Sequence, residues 1–410
     1  MSLRALVAWV LMATLGGCAV APPSAVPPSV PTRPYAASTI ADIRAPAAIR
    51  NGGAGLQIPG VHSAMLLSGF WTARIPDAGR VLQSADAVAA LNANTWAETP
   101  TLYVLEKLPS QVAGGAVTQW IEALAARAKP ELIDAQAQAL GEARVQAMRA
   151  NTRVAAVPAN VTLRWANVVT RADLRSVPDA TRAYRKAEDI IINIDRLQES
   201  ALFPGMAVVV MHESADGQWV FVNAYNYRAW MRKDALQLAS REAALARNAE
   251  VQTVPLPYSR ANLIRTAFQY LGESYGWGHA DGTRDCSGFV SEVYAALGVV
   301  MPRNTGDQRD IPNFHATRFT AKSTHAERMQ AINAALPGDL IFIPGHVMMV
   351  LGRWNGLTYV IHDTPGVRIA NRALPLYGVS VTPLETLEPL SGDSKLRYID
   401  MIQAITRPLP

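Results

Sequence analysis

The sequence predicts an α+β fold in three parts: a mainly helical N-terminal region, a small β-barrel, and a C-terminal domain in which a cysteine-bearing helix precedes a run of strands. Three observations predict it. Residues 116–151 carry Trp120, Ile121, Leu124, Leu132, Ile133 and Leu140 at helical spacings, with Pro130 marking a break. Residues 156–240 instead carry short β-type runs with turn residues between them. From residue 255 onward, Asp285-Cys286-Ser287-Gly288 leads into the apolar series Phe289, Val290, Val293, Tyr294 and Leu297, and strand-like runs follow. At 410 residues, with 50% hydrophobic and 17% charged content, the chain has ample core for two or three domains. Its net charge of +5 comes without a long Lys/Arg block, so nothing indicates a nucleic-acid partner.

The elements follow in order. Arg4 precedes an apolar run over 5–15, too short for a permanent membrane span, and Leu15-Gly16-Gly17-Cys18 closes it with small residues. This resembles a bacterial lipobox. It implies a signal peptide over 1–17, cleavage before Cys18, lipid on its sulfur, and a membrane-anchored mature chain. Ala19, where an Asp would suggest inner-membrane retention, points to the outer membrane, periplasmic face, of a Gram-negative-type envelope. A plain signal peptide with an incidental cysteine is the other reading. Residues 18–54 are rich in Pro, Ala and Ser and read as an extended tether. Residues 55–155 show no cluster of polar chemistry and read as a stabilising region.

In residues 156–240 the strand-like runs are Val161-Thr162-Leu163, Ala207-Val208-Val209-Val210-Met211, Trp219-Val220-Phe221-Val222 and Ala229-Trp230-Met231, with Asp216-Gly217 as a hairpin turn. Together with Arg171-Ala172-Asp173-Leu174-Arg175-Ser176-Val177-Pro178 and Asn223-Ala224-Tyr225-Asn226-Tyr227, they resemble the bacterial SH3-like domains attached to cell-wall peptidases. Relatives often carry a second barrel. Here only the helix-prone stretch 240–250 stands in its place, at the start of the last domain, residues 241–410.

The chain has two cysteines. If lipid consumes Cys18, Cys286 has no disulfide partner, and a free thiol in an oxidising compartment is a liability unless it acts. A thiol at a helix start meets unpaired N–H groups and the positive end of the dipole, which favour the nucleophilic thiolate. A buried structural cysteine is the bland alternative. A thiol nucleophile also needs a base. Among seven histidines, His346 opens one strand-like run and His362 ends the next, so adjacent antiparallel strands can set them side by side, one facing Cys286 and the other orienting it. His62, His212, His315 and His325 read as ordinary residues. A metal site from His346, His362 and Asp363 is disfavoured by the lone Cys on a helix start; no metal or cofactor is expected.

Tyr275-x-Trp277-Gly278, Asp285-Cys286-Ser287-Gly288, Pro302-Arg303-Asn304-Thr305, Pro337-Gly338-Asp339-Leu340, Gly345-His346-Val347 and Val360-Ile361-His362 occur in the order of the NlpC family, and the region resembles these papain-like cysteine peptidases of bacterial cell walls. The resemblance implies Cys286 as nucleophile, His346 as base and His362 as orienting residue. It implies Tyr275 near the scissile carbonyl, with Asp285 and Ser287 holding the substrate backbone. It also implies hydrolysis of the γ-D-glutamyl–diaminoacid bond in peptidoglycan stem peptides; the chain is expected to be a monomer. Relatives with an SH3-like domain often hold a free L-alanine amine with an Asp-Ser pair after Pro-Arg and a Tyr of the barrel. Here Asn304, Thr305 and Arg175 stand at those places, Asp307 is a substitute carboxylate, and His279 replaces a Gly. A non-catalytic stem-peptide binder, and a thiol amidase or acyltransferase on the same fold, are the competing readings.

Overall fold

The computed structural model describes residues 51–55, 57–390 and 396–408. Cys18 and residues 1–50, with the signal and most of the tether read there, lie outside the described residues.

The N-terminal region holds three main helices, α1 (Ala85–Glu98), α2 (Gly114–Ala125) and α3 (Gly141–Asn151). No helical spacing stands out in the sequence of α1, yet Ser84 caps it by accepting from the Ala87 N–H at 3.2 Å, and Val88, Leu91 and Trp96 bury one side. Its Asn and Thr content had diluted the apolar period. Conversely, 126–140 is not helical. Ala137 sits at φ 59° in a turn, and Ile133 bridges to Ala139 and Tyr184, so Leu132 reaches the core from a bend while Ile133 stays half-buried.

Seven antiparallel strands follow: β1 (Arg164–Val168), β2 (Ala172–Arg175), β3 (Gln198–Leu202), β4 (Ala207–Glu213), β5 (Trp219–Asn223), β6 (Arg228–Arg232) and β7 (Leu236–Leu238). They form one sheet in the order β3-β2-β6-β5-β4-β1-β7. Val208, Val210, Phe221, Trp230 and Leu174 fill its interior, and Val117 and Ile121 of α2 extend that core outward. The stretch after it forms helix α4 (Arg241–Glu250), capped by Ser240.

In the last region, α5 (Arg260–Phe268) and α6 (Cys286–Ala295) pack against a six-stranded sheet. Thr305–Arg309 is a short helix, α7. The sheet consists of β8 (His315–Arg318), β9 (Leu340–Ile343), β10 (His346–Trp354), β11 (Leu357–Thr364), β12 (Gly378–Pro383) and β13 (Ala404–Arg407), in the order β8-β13-β9-β10-β11-β12, all antiparallel. Both faces are covered. Phe342, Val347, Met349, Ile361 and Val379 meet Phe289, Val290 and Val293 of α6, while Ile341, Met348, Val350 and Val360 meet a second cluster with Ile332, Leu384 and Ile399. This two-sided burial explains the near-continuous apolar reading of β9 to β11.

Candidate active site

Cys286 is the first residue of α6. Asp285 is its N-cap, accepting from the Gly288 N–H at 2.9 Å. The helix fits here because position 288 is Gly: a Cβ there would stand 2.7 Å from the His279 ring. The sulfur is buried. It lies 3.8 Å from Thr305 Oγ1, and its S–H points to the Gly345 carbonyl at 4.0 Å.

His346 opens β10 and His362 stands near the end of β11. The expectation that neighbouring strands bring them together agrees with the geometry: His346 Nε2 lies 2.7 Å from His362 Nδ1. His362 is fully buried, and its Nε2 lies 2.9 Å from Thr382 Oγ1 on β12. With Nε2 engaged, Nδ1 is the nitrogen of His346 left for another partner. No hydrogen bond joins it to Cys286 in the structure as it stands.

The ionisation states differ from the sequence expectation. Burial pushes the Cys286 thiol up to about 12, and the neighbouring Asp285 carboxylate adds to this. The Val347 N–H and the Thr305 hydroxyl oppose the shift without cancelling it. Burial likewise pulls His346 down to about 4, and His362 is held well below its ordinary value by burial and then by His346. The resting pair is therefore thiol and neutral imidazole. Desolvation outweighs the favourable end of the helix, because a helix start exposes partial charge whereas burial removes the full hydration of an anion.

The other expected site residues divide into two groups. Thr305 and Tyr275 stand at the thiol. Tyr275 is half-buried, and burial, then Cys286 and Asp285, hold its phenol protonated. Asp285 and Ser287 face inward to the buried arginine of the Pro302-Arg303 motif. Arg303 donates to Asp285 at 3.1 and 2.7 Å, to Ser287 Oγ at 2.9 Å, and to Ser200 Oγ of β3 at 2.9 Å. Burial raises the Asp285 carboxyl, but Arg303, His279 and the Gly288 N–H together hold it well below the usual carboxylate range. Asn304 is exposed and donates to Asp307 at 3.1 Å. Arg175 is buried in the sheet of the barrel, paired with Asp195 and donating to Gln198 Oε1 at 3.2 Å. It lines a polar pocket whose wall includes Asp173, Asp195 and Ala280 but not Cys286.

The barrel also grips the loop before the cysteine. Gln198 donates to the Gly278 carbonyl at 3.1 Å and accepts from the Trp277 indole at 3.1 Å, while Arg171 donates to the His279 carbonyl. Gly278 sits at φ +61° with Gln198 Cγ 2.7 Å from where a Cβ would be. Beneath the site, Arg284 forms a buried pair with Glu273 at 2.8 Å, and the Asp363 carboxyl is buried with neither oxygen hydrogen-bonded. Burial, then Glu273 and Asp285, raise it well above the ordinary carboxylate range. Among the described residues, no cluster of three or more His, Cys, Asp or Glu is arranged to hold a metal ion.

Residues 272–374 match the family model for the NlpC/P60 family, and residues 183–232 match that for the SH3 domain (SH3b1 type). The chain carries an NlpC/P60 domain. This NlpC/P60 domain holds Tyr275, Cys286, His346 and His362, and the SH3 match spans β3 to β6, of which β3 grips its loop through Gln198. Dipeptidyl-peptidase 6 of Lysinibacillus sphaericus is 34% identical over 108 residues, 26% of this chain and 33% of the relative. The probable endopeptidase p60 of Listeria seeligeri is 33% identical over 110 residues, 24% of this chain and 18% of the relative. The matched stretch thus spans a third or less of these relatives. A solved NlpC/P60 endopeptidase from Photobacterium damselae subsp. piscicida superposes with a TM-score of 0.64 over 82% of this chain and 96% of its own, at 13% identity, a likeness of fold.

Proposed function

We propose that this chain is a cysteine endopeptidase that hydrolyses the γ-D-glutamyl–diaminoacid bond of peptidoglycan stem peptides. The observation that carries the reading is the 2.7 Å contact between His346 and His362 inside an NlpC/P60 domain whose one cysteine starts a helix. The relatives' names, a dipeptidyl-peptidase and a probable endopeptidase, support peptide hydrolysis. In the mechanism we propose, His346 Nδ1 takes the Cys286 proton as the sulfur adds to the γ-carbonyl carbon. The resting thiol makes this general-base-assisted attack, not attack by a preformed thiolate. The Cys286 N–H and the Tyr275 hydroxyl stabilise the oxyanion. Collapse breaks the C–N bond, and the imidazolium protonates the departing amine. Water then adds to the thioester, giving a proton to His346. The carboxylic acid leaves, and the proton returns to sulfur. The substrate reaches the thiol through a groove between barrel and NlpC/P60 domain.

Digestion of purified muropeptides with mass analysis tests this. A product pair separated at the γ-D-glutamyl bond is expected from wild type and not from Cys286→Ala. Intact muropeptides with wild type, or equal cutting by Cys286→Ala, refute it. We further propose that the mature chain is anchored in the outer membrane by lipid on Cys18. Intact-mass analysis of the membrane fraction should show the lipid and lose it in Cys18→Ser; an unmodified Cys18 removes the anchor.

A further inference from the structure

We infer that Thr382 is a positioning residue, which fixes the tautomer of His362 and through it that of His346. The inference rests on the catalytic reading above and deepens it. His346 Nε2, His362 Nδ1, His362 Nε2 and Thr382 Oγ1 form an unbroken chain with contacts of 2.7 and 2.9 Å. Such a chain can run in either direction, because a hydroxyl both donates and accepts, and the role of His346 as base selects one. For His346 Nδ1 to offer a lone pair to the thiol, its neutral ring must carry hydrogen on Nε2, which donates to His362 Nδ1. His362 must then carry its own hydrogen on Nε2. That N–H lies in a fully buried site, and Thr382, itself fully buried, supplies the acceptor. A buried N–H without a partner is rare because it is costly.

Without the hydroxyl the direction that the base needs loses its acceptor. A bare ring nitrogen tolerates an apolar neighbour better than an N–H does, so His362 moves its hydrogen to Nδ1. That hydrogen donates to His346 Nε2 and forces the His346 hydrogen onto Nδ1, toward the thiol where a lone pair is needed. The same acceptor serves when His346 becomes imidazolium, since His362 then keeps its tautomer. The surroundings hold Thr382 still. β12 pairs with β11 through Val360 opposite Thr382. Its outer edge is bound by Asn51, which donates to the Val381 carbonyl at 3.0 Å and accepts from the Val381 N–H at 2.7 Å.

The test uses Thr382→Val, matched in shape, and Thr382→Ser, which restores the hydroxyl, each in the full chain. The first readout is the rate of Cys286 alkylation by iodoacetamide at neutral pH, which needs no peptide substrate and so fails independently of the proposed activity. Expected is a loss of roughly ten- to a hundred-fold in Thr382→Val, recovered to within about three-fold in Thr382→Ser, by analogy with the cost of disturbing an orienting partner behind a histidine. Where a peptide is cleaved, kcat falls by the same factor with KM unchanged. The second readout is ¹⁵N NMR of histidine-labelled wild type, in which His346 and His362 should both be Nε2–H tautomers. Thr382→Val alkylating at the wild-type rate, or an Nδ1–H tautomer at either histidine in wild type, overturns the inference.

Discussion

Replacing Arg303 by Met should cost the fold several kcal/mol, about 3–5. Arg303 is 4% exposed and spans two parts of the chain: its fork meets the Asp285 carboxylate at 2.7 and 3.1 Å, one nitrogen also meets Ser287 Oγ, and Nε reaches Ser200 on the barrel. Methionine fills a similar volume, so the cavity term is small. What remains is Asp285, buried and still capping α6 through Gly288 and bonding the Gly278 N–H at 3.0 Å. Removing one partner of a buried ion pair costs about 3–5 kcal/mol, because the other charge is left uncompensated. The loss is expected in full near neutral pH. It should shrink on acidification, since without Arg303 the Asp285 carboxyl titrates at higher pH and escapes its penalty by protonation. Urea unfolding followed by tryptophan fluorescence measures the loss. A double-mutant cycle with Asp285→Asn separates the pair term, since the amide oxygen can keep the cap and the charge is gone; a coupling of about 2 kcal/mol or more is expected. Arg303→Met costing under about 1 kcal/mol, or an additive cycle, would refute the view that this pair fastens the cysteine helix to the barrel.

Two further outcomes follow from the same geometry. His346 drops from the ordinary 6.5 to about 4 on folding, so between those values the unfolded chain binds more protons and stability falls as pH falls. For a half-buried ring the contribution is at most roughly 3 kcal/mol, fully present above pH 6.5 and lost on reaching about pH 4; His346→Gln should flatten that part of the stability–pH curve, and an unchanged curve refutes the assignment. At Asn304, a neutral exposed side chain leaned against Asp307, Asn304→Asp should increase selectivity for a stem peptide with a free N-terminal amine over its N-acetylated form by roughly ten-fold, read as a ratio of kcat/KM. A ratio already above about a hundred-fold in wild type and unmoved by the change places the ammonium elsewhere.

The sequence by itself determined which side chains are available and where the local backbone puts them. Asp285 and Gly288 around Cys286 define a capped helix start, since an N-cap and its third neighbour lie within one turn. His346 and His362 open and close consecutive strands, so antiparallel pairing alone brings them together. Arg175, Asn304 and Thr305 were placed by resemblance to motifs, and nothing local says that Thr305 stands at the thiol while Arg175 closes on Asp195. Thr382 was invisible for a related reason. Val379-Ser380-Val381-Thr382 alternates as a half-exposed strand does, yet both of its faces are buried, and its polar face meets His362. Arg303 read as half of a Pro-Arg motif, although its partners lie 16 to 103 residues away. The state of the thiol was decided in the same way. Helix position, which is local, argues for an anion, while burial beneath β10 and beside Asp285 leaves it protonated. Chain periodicity fixes neighbours within a turn or a pleat; desolvation and long-range partners exist only once separate elements have packed, and these set the charge, the tautomer and the anchoring of the site.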